Sequence, residues 1–106
     1  MRRNLGDRRG QAMVYYVLSE IKHRQQACRE ALQYAKLSLT ICKTLDDKAG
    51  TAFSLQRIGD VWDCNDHHNK AIKAWHEALA IAQEISHGSL VSELTERLKG
   101  NSFRFD

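Results

Sequence analysis

The strongest constraint on this chain is repetition at a fixed offset of 40 residues. Leu5, Asp7, Gly10 and Ala12 recur as Leu45, Asp47, Gly50 and Ala52. Further along, Ala31 recurs as Ala71, Leu39 as Leu79 and Ile41 as Ile81, while Leu18, Ile21 and Leu32 return as Ile58, Val61 and Ile72. A third copy starts at Ile85, with His87 at the Asp position and Leu98 at the Leu18/Ile58 position, and then runs out. Repeats of this length are single supersecondary units that bury their apolar faces by stacking on one another. A unique globular topology is therefore the wrong expectation.

Each unit reads as two helices. Proline is absent, where average usage of about 5% would place about five in a chain this long, so nothing interrupts helical runs. Asp7 and Asp47 are expected N-caps, because a side-chain oxygen there can accept from the free amides of a first turn. First helices are expected over about 11–24 and 51–64, and second helices over about 27–44 and 68–85. Polar breaks at 23–26 and 65–68 separate them, and Asn65 and Asp66 suit a turn. In the last of these helices Ala71, Ile72, Trp75, Ala78, Leu79 and Ala82 form one stripe at three- and four-residue spacing. A closing helix over about 89–99 carries Leu90, Val91, Leu94 and Leu98. The tail from Gly100 has no period, and Phe103 and Phe105 are candidates to fold back. No segment alternates as a strand would, so the expected class is all-α.

Composition excludes several alternatives. At 106 residues the chain makes one domain able to bury roughly 64% of its unfolded surface. The longest apolar run, Ala12 to Leu18, is far short of the ~18 residues of a membrane span, and no apolar stretch follows the charged N-terminus as in a secretory signal. Three cysteines, Cys28, Cys42 and Cys64, are too few and odd in number for a stapled scaffold, so free thiols in a cytoplasmic or nuclear setting are expected. Net charge is +3, divided as +5 over residues 1–50 and −2 over residues 51–106. That gradient is too mild for a nucleic-acid footprint. Arg2, Arg3, Arg8 and Arg9 read as a solvated tail and turn.

Gly59 is the most telling single residue. A helix-interior glycine costs about 1 kcal/mol relative to alanine, and close approach of a neighbouring helix is the usual compensation. Large residues flank it, giving L55-x2-I-G-x2-W62, followed on the next helix by A71-x3-W75-x2-A78. These positions resemble the tetratricopeptide repeat (TPR) family. The first unit keeps the small positions as Ser19, Ala31 and Ser38, but has Lys22 opposite Trp62 and Ala35 opposite Trp75; Tyr15, Tyr16 and Tyr34 are available to refill that space. The 40-residue period, L-G-D-R-R-G and A-L-A-I-A-Q-E-I are similar to the subclass of Leu-Gly-Asn-type G-protein signalling modulators.

The resemblance implies a right-handed TPR superhelix of two helix-turn-helix repeats, about 5–44 and 45–84, plus a C-terminal capping helix. A fragment of a longer array is the favoured reading of the boundaries. It also implies a concave groove lined by the first helix of each unit: Met13, Tyr16, Glu20 and His23, then Phe53, Gln56, Asp60 and Asp63, then Glu93 and Glu96. Tyr16, Glu20, Phe53, Gln56, Asp60 and Asp63 are the expected partner-binding residues. Five of the ten lining residues are acidic in a basic chain, which suits a peptide or helix carrying Lys or Arg and apolar anchors; a plain solvated face is the competing reading. The alternative function is a structural segment that self-associates or packs on further repeats through its open ends.

No catalytic constellation is present in the sequence, which lacks a Gly-rich phosphate loop, G-x-S-x-G and H-E-x-x-H. Glu20, Asp60 and Asp63 could approach one another as paired carboxylates, but nothing supplies a substrate site, so no enzyme and no cofactor are expected. Cys64, His67, His68 and His76 invite a metal, yet lack the spacing of a four-ligand zinc site; a polar turn is expected there.

Overall fold

The computed structural model describes the backbone of residues 5–103 and the side chains of 7–100. Five helices follow one another: α1 Leu5–Arg24, α2 Cys28–Thr44, α3 Lys48–Cys64, α4 His68–Glu84 and α5 Gly88–Phe103. Each packs antiparallel on the next, and α1 also meets α3, giving an elongated body of 55 × 32 × 17 Å. Among the described residues there is no strand, and no helix is long and apolar enough to cross a membrane.

The helices begin earlier than expected at the first positions of each unit. Asp7 lies inside the first turn of α1, where its charge complements the helix dipole, rather than at the N-cap. Asp47 does cap α3, its Oδ1 accepting from the Gly50 amide at 3.0 Å. His87 does the same work forty residues later, its Nδ1 accepting from the Leu90 amide at 3.2 Å. The α5 helix also continues past the expected end at residue 99. Of the two tail phenylalanines, Phe105 and the side chain of Phe103 lie outside the described residues.

All four connections are one turn repeated. Gln26, Asp46, Asp66 and Ser86 each have φ between 56° and 65°. The residue after each donates its amide five residues back: Ala27 to Lys22, Asp47 to Cys42, His67 to Trp62 and His87 to Ala82, at 2.8–2.9 Å. This pattern closes the helix C-termini in the manner of a Schellman motif. None of the four left-handed residues is glycine, so the sequence marks these turns only weakly.

Small side chains let the helices close up. Ala31, Ala35, Ala52, Ala71, Ala78 and Ala82 are fully buried. Gly59 lies directly beneath the Trp75 indole: a methyl added there would come within 2.5 Å of Cδ1 and Nε1. In the first unit Ser19 takes the Gly59 place and its buried hydroxyl donates to the Ala31 carbonyl at 2.9 Å. Tyr15 stacks on Tyr34, with centroids 6.1 Å apart, and Lys22 reaches Glu30 at 3.7 Å. The larger cluster joins the second unit to the closing helix, where Leu55 and Trp75 bury together with Leu90 and Leu94 of α5.

Cysteine usage differs from the expectation of free thiols. Cys28 and Cys64 are joined as a disulfide, with Cα atoms 6.5 Å apart; Cys42 alone is free and buried. The reason is the α2–α3 hairpin, which folds symmetrically about Asp46 and brings the first residue of α2 beside the last residue of α3. The pairing removes the ground on which a reducing compartment is inferred.

Candidate functional site

The first helix of each unit contributes to one continuous face, because cross-helix contacts tie α1, α3 and α5 together along it. Tyr16 meets Phe53 edge to face at 6.4 Å, and Phe53 meets His87 in the same way at 5.4 Å. Arg57 spans α3 to α1, its guanidinium 4.7 Å from the Tyr16 ring centre and 3.8 Å from Glu20. Gln56, buried, donates to Glu93 of α5 at 3.1 Å. The six residues expected to bind a partner thus do share a face, with unequal freedom.

Asp60 is the most committed of them. Its Oδ1 accepts from Trp75 Nε1 at 3.0 Å and from Arg97 Nε at 2.7 Å, while Oδ2 accepts from Arg97 Nη2 at 3.1 Å. A two-pronged guanidinium–carboxylate pair is among the strongest side-chain arrangements, and this one locks α3, α4 and α5 together. Asp63 is 2.7 Å from His68 Nδ1. Glu20 accepts from Arg24 at 2.9 Å. The carboxylates counted from the sequence are therefore largely engaged by cations of the chain itself.

The cations on this face are legible from spacing. Arg57 follows Phe53 by four residues and precedes Asp60 by three, so it must share their face. Arg97 stands four residues after Glu93, and the pair are 3.9 Å apart. With both included beside Arg24, which already holds Glu20, five carboxylates (Glu20, Asp60, Asp63, Glu93, Glu96) outnumber three guanidiniums. The face stays acidic, with less surplus than the sequence count implies.

Two hollows open near this face. One, of about 440 Å³, lies between α1, the end of α2 and the start of α3, and is lined by Met13, Tyr16, Leu45, Phe53 and the buried Cys42, with Arg9 and Asp47 at its polar edge. The Arg9–Asp47 separation is 3.9 Å. Burial, and then the Asp47 carboxylate, push the Cys42 thiol above its ordinary pKa, so it acts here as a small apolar wall. The other hollow, of about 460 Å³, is polar and lined by His23, Asp60, Asp63, Trp75, Glu96 and Arg97.

The cysteine and histidines weighed as metal ligands go separate ways. Cys64 is bonded to Cys28, His67 sits edge-on to Trp62 at 5.1 Å and His68 is held by Asp63. Among the described residues no group of three or more His, Cys, Asp or Glu side chains could hold a metal ion.

No protein-family model matches the chain, and no curated protein matches it in sequence. Among solved structures it is similar to the N-terminal domain of stress-induced protein-1 (STI-1) from C. elegans, with a TM-score of 0.66 at 15% identity over 80% of this chain. The match spans 65% of that domain's length. At that identity the likeness concerns the fold, which is a TPR-like helical repeat with all elements α-helical.

Proposed function

We propose that this chain is a non-catalytic protein-interaction module. It holds a segment of a partner protein across the face of α1, α3 and α5. The observation that carries this reading is the pairing of an apolar hollow at Tyr16 and Phe53 with an acidic one at Asp63 and Glu96. Phe53 and Asp60 are seven residues apart on one helix, or about 10 Å along its axis. A partner segment that fills both hollows carries an apolar anchor and a Lys or Arg about three residues apart if extended, or about seven apart if helical. Tyr16 and Phe53 supply the apolar contact, while Glu20, Asp63 and Glu96 supply the charge.

Selection from a random displayed peptide library tests this, followed by fluorescence anisotropy of the selected peptides at 50 and 300 mM NaCl. Enrichment of an apolar residue and a basic residue at one of those spacings is expected. Affinity should fall with salt and drop about tenfold or more in Glu96→Lys and in Tyr16→Ala, both checked for unchanged helicity. Asp60 is avoided because its substitution would disturb the fold. Peptides lacking that pattern, or indifferent to both substitutions, would refute the groove reading.

A further inference from the structure

A third hollow lies on the other side of α3 from the peptide face. Leu55, Ile58 and Trp62 recur at three- and four-residue spacing, opposite Phe53, Gln56 and Asp60 on the same helix. With Leu39 of α2 and Ala74 of α4 they floor a cleft of about 550 Å³ between the two second helices. Its rim is basic. Lys36 of α2 and Lys70 and Lys73 of α4 stand along it, all exposed, and Glu77 is the one carboxylate among the described lining residues. The Lys36 and Lys70 ammonium groups lie 5.8 and 4.4 Å from the centre of the Trp62 ring. None of the three lysines is ion-paired with a described residue. The 40-residue register shows how they come to be unmatched. Residues 62 and 70 correspond to Lys22 and Glu30, which face each other at 3.7 Å as an ion pair in the first unit. In the second unit an aromatic ring takes the cation's place and a lysine takes the anion's. The ring attracts ammonium groups through its quadrupole but has no net charge to neutralise them. Two like charges are thus gathered at one ring with no counter-ion from the chain.

We infer that this cleft binds an acidic segment of a partner protein, independently of the peptide face. Charge complementarity selects the acid, because a carboxylate placed between Lys36 and Lys70 relieves their repulsion. The apolar floor selects a protein segment. Ile58 lies one helical turn from Trp62, about 6 Å along α3. An apolar side chain seated there stands about two residues from the acid in an extended segment, or three to four in a helical one. The acid belongs at the Lys70 end, since Glu77 stands seven residues, or about 10 Å, further along α4. A nucleic-acid strand is less well matched. Its bases need an open ring face on which to stack, whereas Lys70 lies over Trp62, and its successive phosphates would meet Glu77.

Selection of a random displayed peptide library on the wild-type chain tests this, with the indole N–H signals of Trp62 and Trp75 followed by heteronuclear NMR as selected peptides are added. Enrichment of sequences that pair Asp or Glu with an apolar residue at one of those spacings is expected. Such peptides should move the Trp62 signal and leave that of Trp75, which lines the acidic hollow of the other face, where it was. Affinity should fall between 50 and 300 mM NaCl. It should drop about tenfold or more in Lys36→Glu/Lys70→Glu and stay near wild type in Lys70→Arg. Both lysines are exposed, and circular dichroism checks that the helices are kept. Tyr16→Ala and Glu96→Lys should not weaken this binding, which separates the cleft from the peptide face. A selection without acidic sequences overturns the proposal. So do acidic peptides that ignore the lysine substitutions or move only the Trp75 signal. An oligouridylate provides the competing occupant. If it moves the Trp62 signal in a lysine-dependent way and the acidic peptides do not, the cleft belongs to a nucleic-acid strand and the proposal fails.

Discussion

Replacing Gly59 with alanine should destabilise the protein, although alanine is the better helix former. The propensity gain is about 0.8–1.0 kcal/mol. Against it, the new methyl would stand 2.5 Å from both Cδ1 and Nε1 of Trp75, and 3.0 Å from Cε2. The ring must retreat by about 1 Å to reach ordinary contact, and it is 2% exposed and packed in the α3–α4–α5 core with Leu55, Leu90 and Leu94. Overpacking of this kind costs about 1–3 kcal/mol. Retreat also stretches the 3.0 Å bond from Nε1 to Asp60, and a hydrogen bond to a charged group contributes about 1.5–3 kcal/mol. The net is a loss of roughly 2 kcal/mol, or a fall in Tm of about 8–16 °C for a domain near this size. Gly10→Ala is the matched control, since nothing lies within 4 Å of a methyl there; it should gain about 0.5–1 kcal/mol. Thermal and urea melts of the two variants, with Trp75 emission followed in a Trp62→Phe background, measure both. Opposite signs are expected. A Gly59→Ala variant as stable as wild type, or gaining as Gly10→Ala does, would refute the close-packing argument.

Four further outcomes follow from the same contacts. Asp60→Asn keeps an acceptor for Trp75 but loses the charge that holds Arg97, and should cost about 1–3 kcal/mol in urea melts; a double-mutant cycle with Arg97→Met should show coupling, and additive effects would count against the network. Reducing the Cys28–Cys64 disulfide, whose cysteines are 36 residues apart, should lower stability by up to about 4 kcal/mol in the chain-entropy view, with Cys28→Ser/Cys64→Ser matching the reduced protein and showing no further response to reductant. Cys42, its pKa raised first by burial and then by Asp47, should alkylate in the native protein only at higher pH than in the unfolded chain; the thiol form is favoured by folding, so this contribution is complete below the unfolded thiol pKa and is lost as pH rises through the folded one. Ser86→Gly, at φ 57°, should stabilise by up to about 1 kcal/mol, whereas Ser86→Val should destabilise.

The helical class and the repeat were legible because they rest on spacing, and spacing survives whatever the side chains later touch. Gly59 could be interpreted in isolation because its propensity cost demanded a neighbour, and Trp75 is that neighbour. Helix starts were misplaced where one polar residue had two possible jobs: Asp47 caps a helix, while Asp7 at the same repeat position rides inside one. The turns were weakly marked because Gln26, Asp46, Asp66 and Ser86 accept a left-handed backbone that glycine would have advertised. The disulfide is hard to read from sequence because Cys28 and Cys64 are remote along the chain, although their positions are symmetric about Asp46 and antiparallel helices bring such positions together.

The candidate face was the harder inference, for an electrostatic reason. Counting carboxylates on a predicted stripe gives their sign but not their occupancy. Occupancy depends on cations from helices that the stripe does not include. Asp60 illustrates the difference. On α3 alone it is an exposed acid awaiting a basic partner. Once α4 and α5 are folded against α3, Trp75 and Arg97 fill its acceptor sites. Charge reversal there would break the fold before it reported on binding, and a lost partner would be misread as a mapped site. Glu96 is exposed and has no such duty on α4. For that reason the test of binding rests on Glu96 and Tyr16, and the test of architecture rests on Asp60.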